Sequence, residues 1–320
     1  MATLITGGVG FIGSYLARLL IDEGERPVLF DIALPRGALL DIRDRFYYEQ
    51  GTLSNLSVLL NSIERYNVDR IFHLGGMLSI PSEENPWMAF DANVVGTYNV
   101  LEAARIKGVR QILYGSTIAT YSKHISSGSI DDFTIQRPTS MYGCTKVFGE
   151  LLGSFYARKF DIDFRGVRIP SVVGPGAKTA HMSIYNAWAI EESLKGNPYV
   201  LLCEPETRCP VIYFKDVGRA FVMLAGAERA KIETMVYNLA GISPVSSARE
   251  LVDVICQRIP EARLSFNPDP TVAELLRELG RLTINDDCAR AEWRWEIAYP
   301  LTAMVDDFIK EFREHTAWYE

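Results

Sequence analysis

A tyrosine and a lysine stand four residues apart in Tyr142-Gly143-Cys144-Thr145-Lys146. On a helix that spacing puts both side chains on one face. An ammonium beside a phenol lowers the phenol's pKa from about 10 toward neutrality, and a phenol so poised acts as a general acid or base at a substrate hydroxyl. Chance produces this spacing often, and surface helices carry it harmlessly, so its value comes from context. Upstream, Tyr114-Gly115-Ser116-Thr117-Ile118 ends a β-rich run. There Ser116 or Thr117 can hold a reacting oxygen by its hydroxyl, or can serve as an ordinary cap or turn residue. The ends of parallel strands are where open α/β sheets place ligands.

A second constellation opens the chain. Thr6-Gly7-Gly8-Val9-Gly10-Phe11-Ile12-Gly13 follows a short apolar strand and begins an amphipathic helix with Leu16, Leu19 and Leu20 on one face. In a strand–turn–helix of this kind Gly7 permits the tight turn, Gly10 lets backbone approach a pyrophosphate, and Gly13 lets helix pack close to strand. The helix start offers free N–H groups and a positive dipole end to phosphates. Asp31 closes the next strand, Pro27-Val28-Leu29-Phe30-Asp31. A carboxylate there accepts hydrogen bonds from both ribose hydroxyls and repels a 2′-phosphate, so NAD is preferred over NADP. Arg36, five residues on, is read as solvated.

The elements that must position these groups follow from periodicity. Strands are predicted at 4–6, 27–31, 68–74, 110–115 and 163–168. Helices are predicted at 12–23, 53–66, 86–107 and 140–160. This alternation specifies right-handed βαβ crossovers and a parallel sheet with helices on both faces. After Pro170 the rhythm loosens. Helices are predicted near 183–195, 216–228, 246–258 and 301–315, with short strands near 199–202 and 211–214. The expected architecture is an α/β, Rossmann-type, doubly wound parallel sheet (1–170) with a smaller α/β substrate lobe (171–320) interwoven with it as one structural unit.

Composition bounds the remaining choices. The 320 residues are 48% hydrophobic and 23% charged, the ordinary globular range, and no apolar stretch reaches the roughly 18 residues of a membrane span. A net charge of −7 favours solubility and argues against nucleic acid. The five cysteines are odd in number and widely spaced, which fits neither a disulfide framework nor a metal site. No signal peptide is read, because the chain begins directly with a strand. A soluble protein of the reducing cytoplasm is expected, with no metal.

Together these motifs resemble the extended short-chain dehydrogenase/reductases, the NAD-dependent epimerase/dehydratase family, over nearly the whole chain. TGGVGFIG is similar to their cofactor turn, HLGGM at 73–77 to the segment under the cofactor, NVVGTYNVLEAA at 93–104 to their central helix, and GSTIATY at 115–121 to their hydroxyl strand end. YGCTK resembles their catalytic helix, RIPSVVGPG at 168–176 the loop that meets the nicotinamide, and VIYFKDVGRAF at 211–221 their late strand and helix. The resemblance implies Thr117, Tyr142 and Lys146 as a catalytic triad, with Ser116 beside them and Lys146 also on the nicotinamide ribose. It implies cofactor contacts from Gly7, Gly10, Phe11, Ile12, Gly13, Asp31, Leu74, Gly75, Gly76, Asn93, Tyr142, Lys146, Ile169 and Pro170, and a homodimer. Thr52 stands where relatives carry an acid that contacts adenine.

Two subgroups compete for the substrate. Nucleotide-sugar epimerases and dehydratases grip a diphosphate with an Arg that is Cys209 here, and no R-P-G-D-like run stands near 275–283. Loss of two such clamps would remove several kcal/mol, leaving neighbouring Arg208 as the one substitute. The chain is more similar to the short-chain-type L-threonine 3-dehydrogenases, in HLGGMLS, GSTI, MYGCTK through RIP, CPVIY and the late Ala291-Glu292-Trp293. That likeness places Ser79, Ser116, Thr117, Tyr142, His181 and Ser183 in a small-molecule substrate pocket. The loop from Ser171 to Ser183 lacks their threonine-rich pattern, so a related hydroxy compound fits equally; Lys178 and His181 are candidates for a carboxylate. Trp87 and Trp188 are read as packing residues. The expected chemistry is oxidation of a secondary alcohol with NAD. The alternatives are a nucleotide-sugar 4-epimerase or dehydratase with bound NAD, and a regulator that binds NAD without turnover.

Overall fold

A computed structural model describes residues 2–121, 125, 128–178, 183–280 and 283–319, less the side chains of residues 275, 278 and 279. Seven parallel strands make the central sheet: β1 (Ala2–Thr6), β2 (Val28–Asp31), β3 (Tyr47–Gln50), β4 (Val68–His73), β5 (Gln111–Thr117), β6 (Asp163–Ile169) and β7 (Val236–Asn238). Their order across the sheet is β3-β2-β1-β4-β5-β6-β7. The order reverses between β1 and β4, which pair directly, with Thr6 opposite His73. A doubly wound sheet opens its ligand crevice at this switch point, outside the carboxyl ends of the strands.

The inner strands carry neighbouring apolar residues that face opposite ways, Leu4 and Ile5, Leu29 and Phe30, Ile71 and Phe72, because helices cover both faces. On one face α1 (Phe11–Asp22) packs beside α6 (Phe214–Gly226) over Ile5, Leu29, Phe72 and Val167. On the other, α2 (Leu56–Tyr66), α3 (Gly96–Lys107) and α4 (Met141–Phe160) cover Leu4, Phe30, Ile71 and Ile112. Residues beyond 170 thus supply both β7 and α6 to the central layer. They also form a second apolar core around α5 (Tyr185–Leu194), α7 (Ala248–Arg258) and α8 (Leu301–Glu314). Two-stranded parallel pairs, 171–173 with 211–213 and 199–201 with 264–266, frame this lobe.

Several elements differ from expectation. β3 and β7 are short edge strands, four and three residues long, with too few apolar positions for a period to show. The expected single helix 86–107 has a π-helical segment, Phe90–Val95, between its α-helical parts. Trp87 is 73% exposed and stacks on Phe90, instead of packing in a core.

Candidate functional site

At the switch point two glycine turns face each other. Gly7 adopts φ +68°, and a Cβ there would lie 2.8 Å from the Gly75 backbone. A Cβ on Gly13 would lie 2.1 Å from the Gly7 carbonyl oxygen. The turn therefore excludes side chains on two sides, and Gly10 precedes α1 as an N-cap with no side chain to cap it. Its first N–H groups remain available to an anion. Asp31 flanks the same turn. One carboxylate oxygen accepts from the Val9 N–H (3.0 Å) and the other from the Ala33 N–H (3.0 Å), which holds the carboxylate at the rim of the crevice.

The facing turn, Leu74-Gly75-Gly76-Met77, is held from below. Thr6 Oγ accepts from the Gly75 N–H (3.1 Å) and shares a hydrogen bond with His73 Nδ1 (2.7 Å), and His73 Nε2 shares one with Thr97 Oγ (3.0 Å). His73 is fully buried, and desolvation, reinforced by the Lys146 charge, pushes its pKa down to about 3. It is a neutral strut. Asn93, in the π-helical segment, accepts from the Met77 N–H (2.6 Å) and donates to the Met77 carbonyl (3.0 Å) and Thr145 Oγ (3.0 Å). Its amide is fully used, so Asn93 ties this turn to α4. A Cβ on Gly76 would meet Asn93 Oδ1 at 2.8 Å and Lys146 Nζ at 3.9 Å, so the turn lies directly against the lysine. A π-helical segment at such a point is a common device of functional sites.

Tyr142 and Lys146 lie on the first two turns of α4, whose start is capped by Ser140 Oγ accepting from the Gly143 N–H (3.0 Å). Lys146 is buried and donates to the Gly115 carbonyl (2.8 Å), with its Nζ 4.9 Å from the Tyr114 ring and 5.7 Å from the Tyr142 ring. Burial lowers the Lys146 pKa to about 8 against an upward pull from Glu150, while burial pushes Tyr142 up to about 12. The lysine therefore loses its proton before the tyrosine ionises, and a phenolate beside an ammonium is the minor arrangement of the pair until something further favours it.

Ser116 and Thr117 point to opposite sides of β5, as successive strand residues must. The Ser116 hydroxyl is buried and donates to Glu150. Its proton is engaged by that carboxylate in this structure. Thr117 Oγ accepts from the Ala119 N–H (3.2 Å) and keeps its own proton to donate. Ile169 ends β6 directly opposite Thr117, and Pro170 follows, buried. Phe11 stacks on Phe214 at 5.5 Å, with Gly174 wedged against both rings, and Ile12 packs against the same cores. Ser79 opens a short helix, Ser79–Glu84, and is half-buried; Glu83 of that helix accepts from the Met141 N–H (2.6 Å) at the start of α4. Ser183 is buried with its hydroxyl 2.6 Å from Ser171. His181 lies outside the described residues. Thr52 pairs with Ser54 at the surface (3.0 Å).

The sequence reading did not single out Thr6, His73, Glu150 or Arg168. Each sits on a motif already noted: Thr6 before the first turn, His73 before the second, Glu150 one helical turn after Lys146, and Arg168 at the head of RIPSVVGPG.

Residues 3–240 match the model of the NAD dependent epimerase/dehydratase family. The chain belongs to that family. Over 313 residues it is 28% identical to the mitochondrial L-threonine 3-dehydrogenase of Bos taurus, covering 96% of this chain and 81% of the relative. It is 32% identical to an uncharacterized epimerase/dehydratase of Staphylococcus saprophyticus, covering 94% of each. Among solved structures, the L-threonine dehydrogenase of Clostridium difficile superposes with a TM-score of 0.88 at 27% identity, over 99% of this chain and 98% of the other. The glycine cradle, the uncapped start of α1 and the Asp31 carboxylate fit NAD, and NAD is the cofactor of this enzyme. It is an NAD-dependent oxidoreductase of the extended short-chain type, acting on an alcohol. No described helix is long and apolar enough to cross a membrane, and no metal-binding cluster occurs among the described residues.

Proposed function

We propose that this enzyme oxidises the hydroxyl of a small polar β-hydroxy acid, L-threonine or a close analogue. The observation that carries this reading is the wall where a diphosphate would be clamped. Cys209 is buried there, and burial, its largest influence, pushes its thiol up to about 12, so it offers no charge. Arg208 is turned away to the Val245 carbonyl and to Glu250 (3.4 Å), and Arg277 is held in a fork by Glu204. Among the described residues both arginines are thus engaged elsewhere, which favours a small substrate over a nucleotide sugar. The names of the threonine dehydrogenases to which the chain is similar support the same choice.

In this mechanism the substrate hydroxyl lies between Thr117 and Tyr142. Thr117 donates to the oxygen and orients it. Tyr142 takes its proton as the phenolate. Lys146 stabilises that phenolate and holds the nicotinamide ribose. NAD, when bound, supplies the hydride acceptor. Gly7, Gly10, Phe11, Ile12, Gly13, Leu74, Gly75, Gly76, Ile169 and Pro170 line its path, with Asp31 on the adenosine ribose. Asn93 fixes the second glycine turn. Ser79, Ser183 and His181 are assigned to the substrate side. Positioning and fixed dipoles carry most of the rate.

The test is a panel of small β-hydroxy acids with NAD, read by absorbance of the reduced nicotinamide. Turnover on threonine or an analogue, abolished in Tyr142→Phe with NAD binding retained, is expected. Silence across the panel together with tight binding of a uridine diphosphate sugar would replace this reading with the epimerase.

A homodimer is part of the proposal. Tyr98 on α3 and Phe148, Leu151, Phe155 and Phe160 on α4 are exposed by 37–65%. Pairing these helices with a twofold-related copy would bury them; sedimentation equilibrium should give twice the chain mass. Five unpaired cysteines support a reducing compartment, taken here as the cytoplasm.

A further inference from the structure

Beneath the Tyr142–Lys146 pair lies a buried ionic joint that the chemistry described so far does not use. Glu150 and Arg168 are 3% and 6% exposed. Arg168 forks onto the Glu150 carboxylate, Nη2 to Oε2 at 2.8 Å and Nε to both oxygens at 3.1 Å. Its other amino group donates to Tyr121 Oη (2.8 Å) and to the Asp132 carbonyl (2.9 Å), and Asn238 Oδ1 lies 3.4 Å away. One guanidinium thereby joins α4, the segment after β5, the turn at 131–134 and β7. Glu150 also receives the Ser116 hydroxyl, and it follows Lys146 by one helical turn on the same face.

Two buried charges gain little stability over an apolar pair of the same volume, which points to a use beyond holding the fold. Resting on the assignment of Tyr142 and Lys146 as the acid–base pair, we propose that Glu150 is a positioning residue of the reaction. It is the counter-ion that keeps Lys146 charged and aimed at the Gly115 carbonyl, fixed for that task by Arg168 and Ser116.

The other groups around Lys146 cannot take this role. From α4 itself come Tyr142 and Glu150. From β5 come the Gly115 carbonyl and the Tyr114 ring, and burial holds that phenol neutral. From β4 comes His73, neutral at any working pH. From the second glycine turn comes Gly76, which has no charge. Arg168, on β6, carries the same sign of charge as Lys146 and cannot be its counter-ion. Glu150 is the one described carboxylate that acts to keep Lys146 protonated against the effect of burial.

The test compares the full-length protein with Glu150→Gln, which keeps an acceptor for Ser116 but removes the charge. Because a single change strands the Arg168 cation, a double variant, Glu150→Gln with Arg168→Gln, is measured beside it. NAD affinity by calorimetry and kcat/KM are followed from pH 6 to 10, with the melting temperature as a fold control. An opposite charge at this range moves a pKa by about one to three units. The alkaline midpoint of both curves should therefore fall by about one unit or more in either folded variant. At the wild-type midpoint kcat should drop about fivefold or more, with the substrate KM within about threefold of wild type. A folded variant whose midpoint stays in place, whatever its melting temperature, would overturn the proposal, since a merely structural pair lowers stability without moving that midpoint. A wild-type enzyme with no turnover, or an active Tyr142→Phe, would instead sink the acid–base assignment. The NAD-affinity curve would still decide the role of Glu150.

Discussion

Replacing Lys146 by Met removes one charge beside Tyr142 and nearly preserves the volume, so it isolates the field that the lysine exerts. Nζ lies 5.7 Å from the Tyr142 ring. At an effective dielectric near 20, a unit charge at that range is worth about 3 kcal/mol, or about two pK units on the phenol. Lys146 titrates near 8, so at pH 7.5 most molecules carry the charge, while burial alone would leave Tyr142 near 12. Lys146→Met should therefore lower kcat/KM at pH 7.5 by about 100-fold, measured by reduced-nicotinamide absorbance at saturating NAD. The residual rate should climb about tenfold per pH unit up to at least pH 9.5, because only hydroxide now generates the phenolate. A variant that keeps kcat/KM within about threefold of wild type at pH 7.5, with a flat profile above it, would refute the claim that this ammonium activates this phenol.

Three further outcomes follow from the geometry. His73 is buried at a pKa near 3 and returns to about 6.5 on unfolding, so the unfolded chain binds the extra proton between those values. The stability penalty is absent above pH 6.5 and grows as pH falls toward 3; the loss of melting temperature between pH 7 and 5 should be shallower in His73→Asn, and equal slopes would refute the neutral strut. Thr117→Val should reduce kcat by about 100-fold or more with NAD affinity unchanged, whereas Ser116→Ala should lower the melting temperature and reduce kcat by less than about tenfold; the reverse ranking would return Ser116 to the reacting oxygen. Gly13→Val places side-chain atoms on the Gly7 carbonyl, which a Cβ alone would already approach to 2.1 Å, so calorimetry should detect no NAD binding in whatever fraction folds.

Local signals made much of this protein readable before folding. A strand, a glycine turn and an amphipathic helix are neighbours in sequence, so their chemistry is written in one stretch; the same holds for Tyr142 and Lys146, joined by one turn of α4. What escaped has no local period or is assembled from distant segments. β7 is three residues long and takes its place by pairing Tyr237 with Val167 across the sheet, so its membership depends on a partner 70 residues upstream. The π-helical segment at Asn93 departs from a pattern that reads as plain helix, because the departure serves hydrogen bonds to Met77 and Thr145 and not the helix itself.

The hydroxyls show where the division falls. The amino-acid order determined that Ser116 and Thr117 would end a strand, and alternation required them to face opposite ways. Which of the two would face Glu150 was decided only when α4 packed on β5 and Arg168 arrived from β6. The absence of an arginine at position 209 was likewise plain from the chain, while the engagement of Arg208 by Val245 and Glu250 became visible only in three dimensions. Residue types and short spacings fix which chemistry is available, because they act through the local backbone. Burial, counter-ions and the direction of each polar group are set by contacts between distant segments, and those decide which of the available groups can perform it.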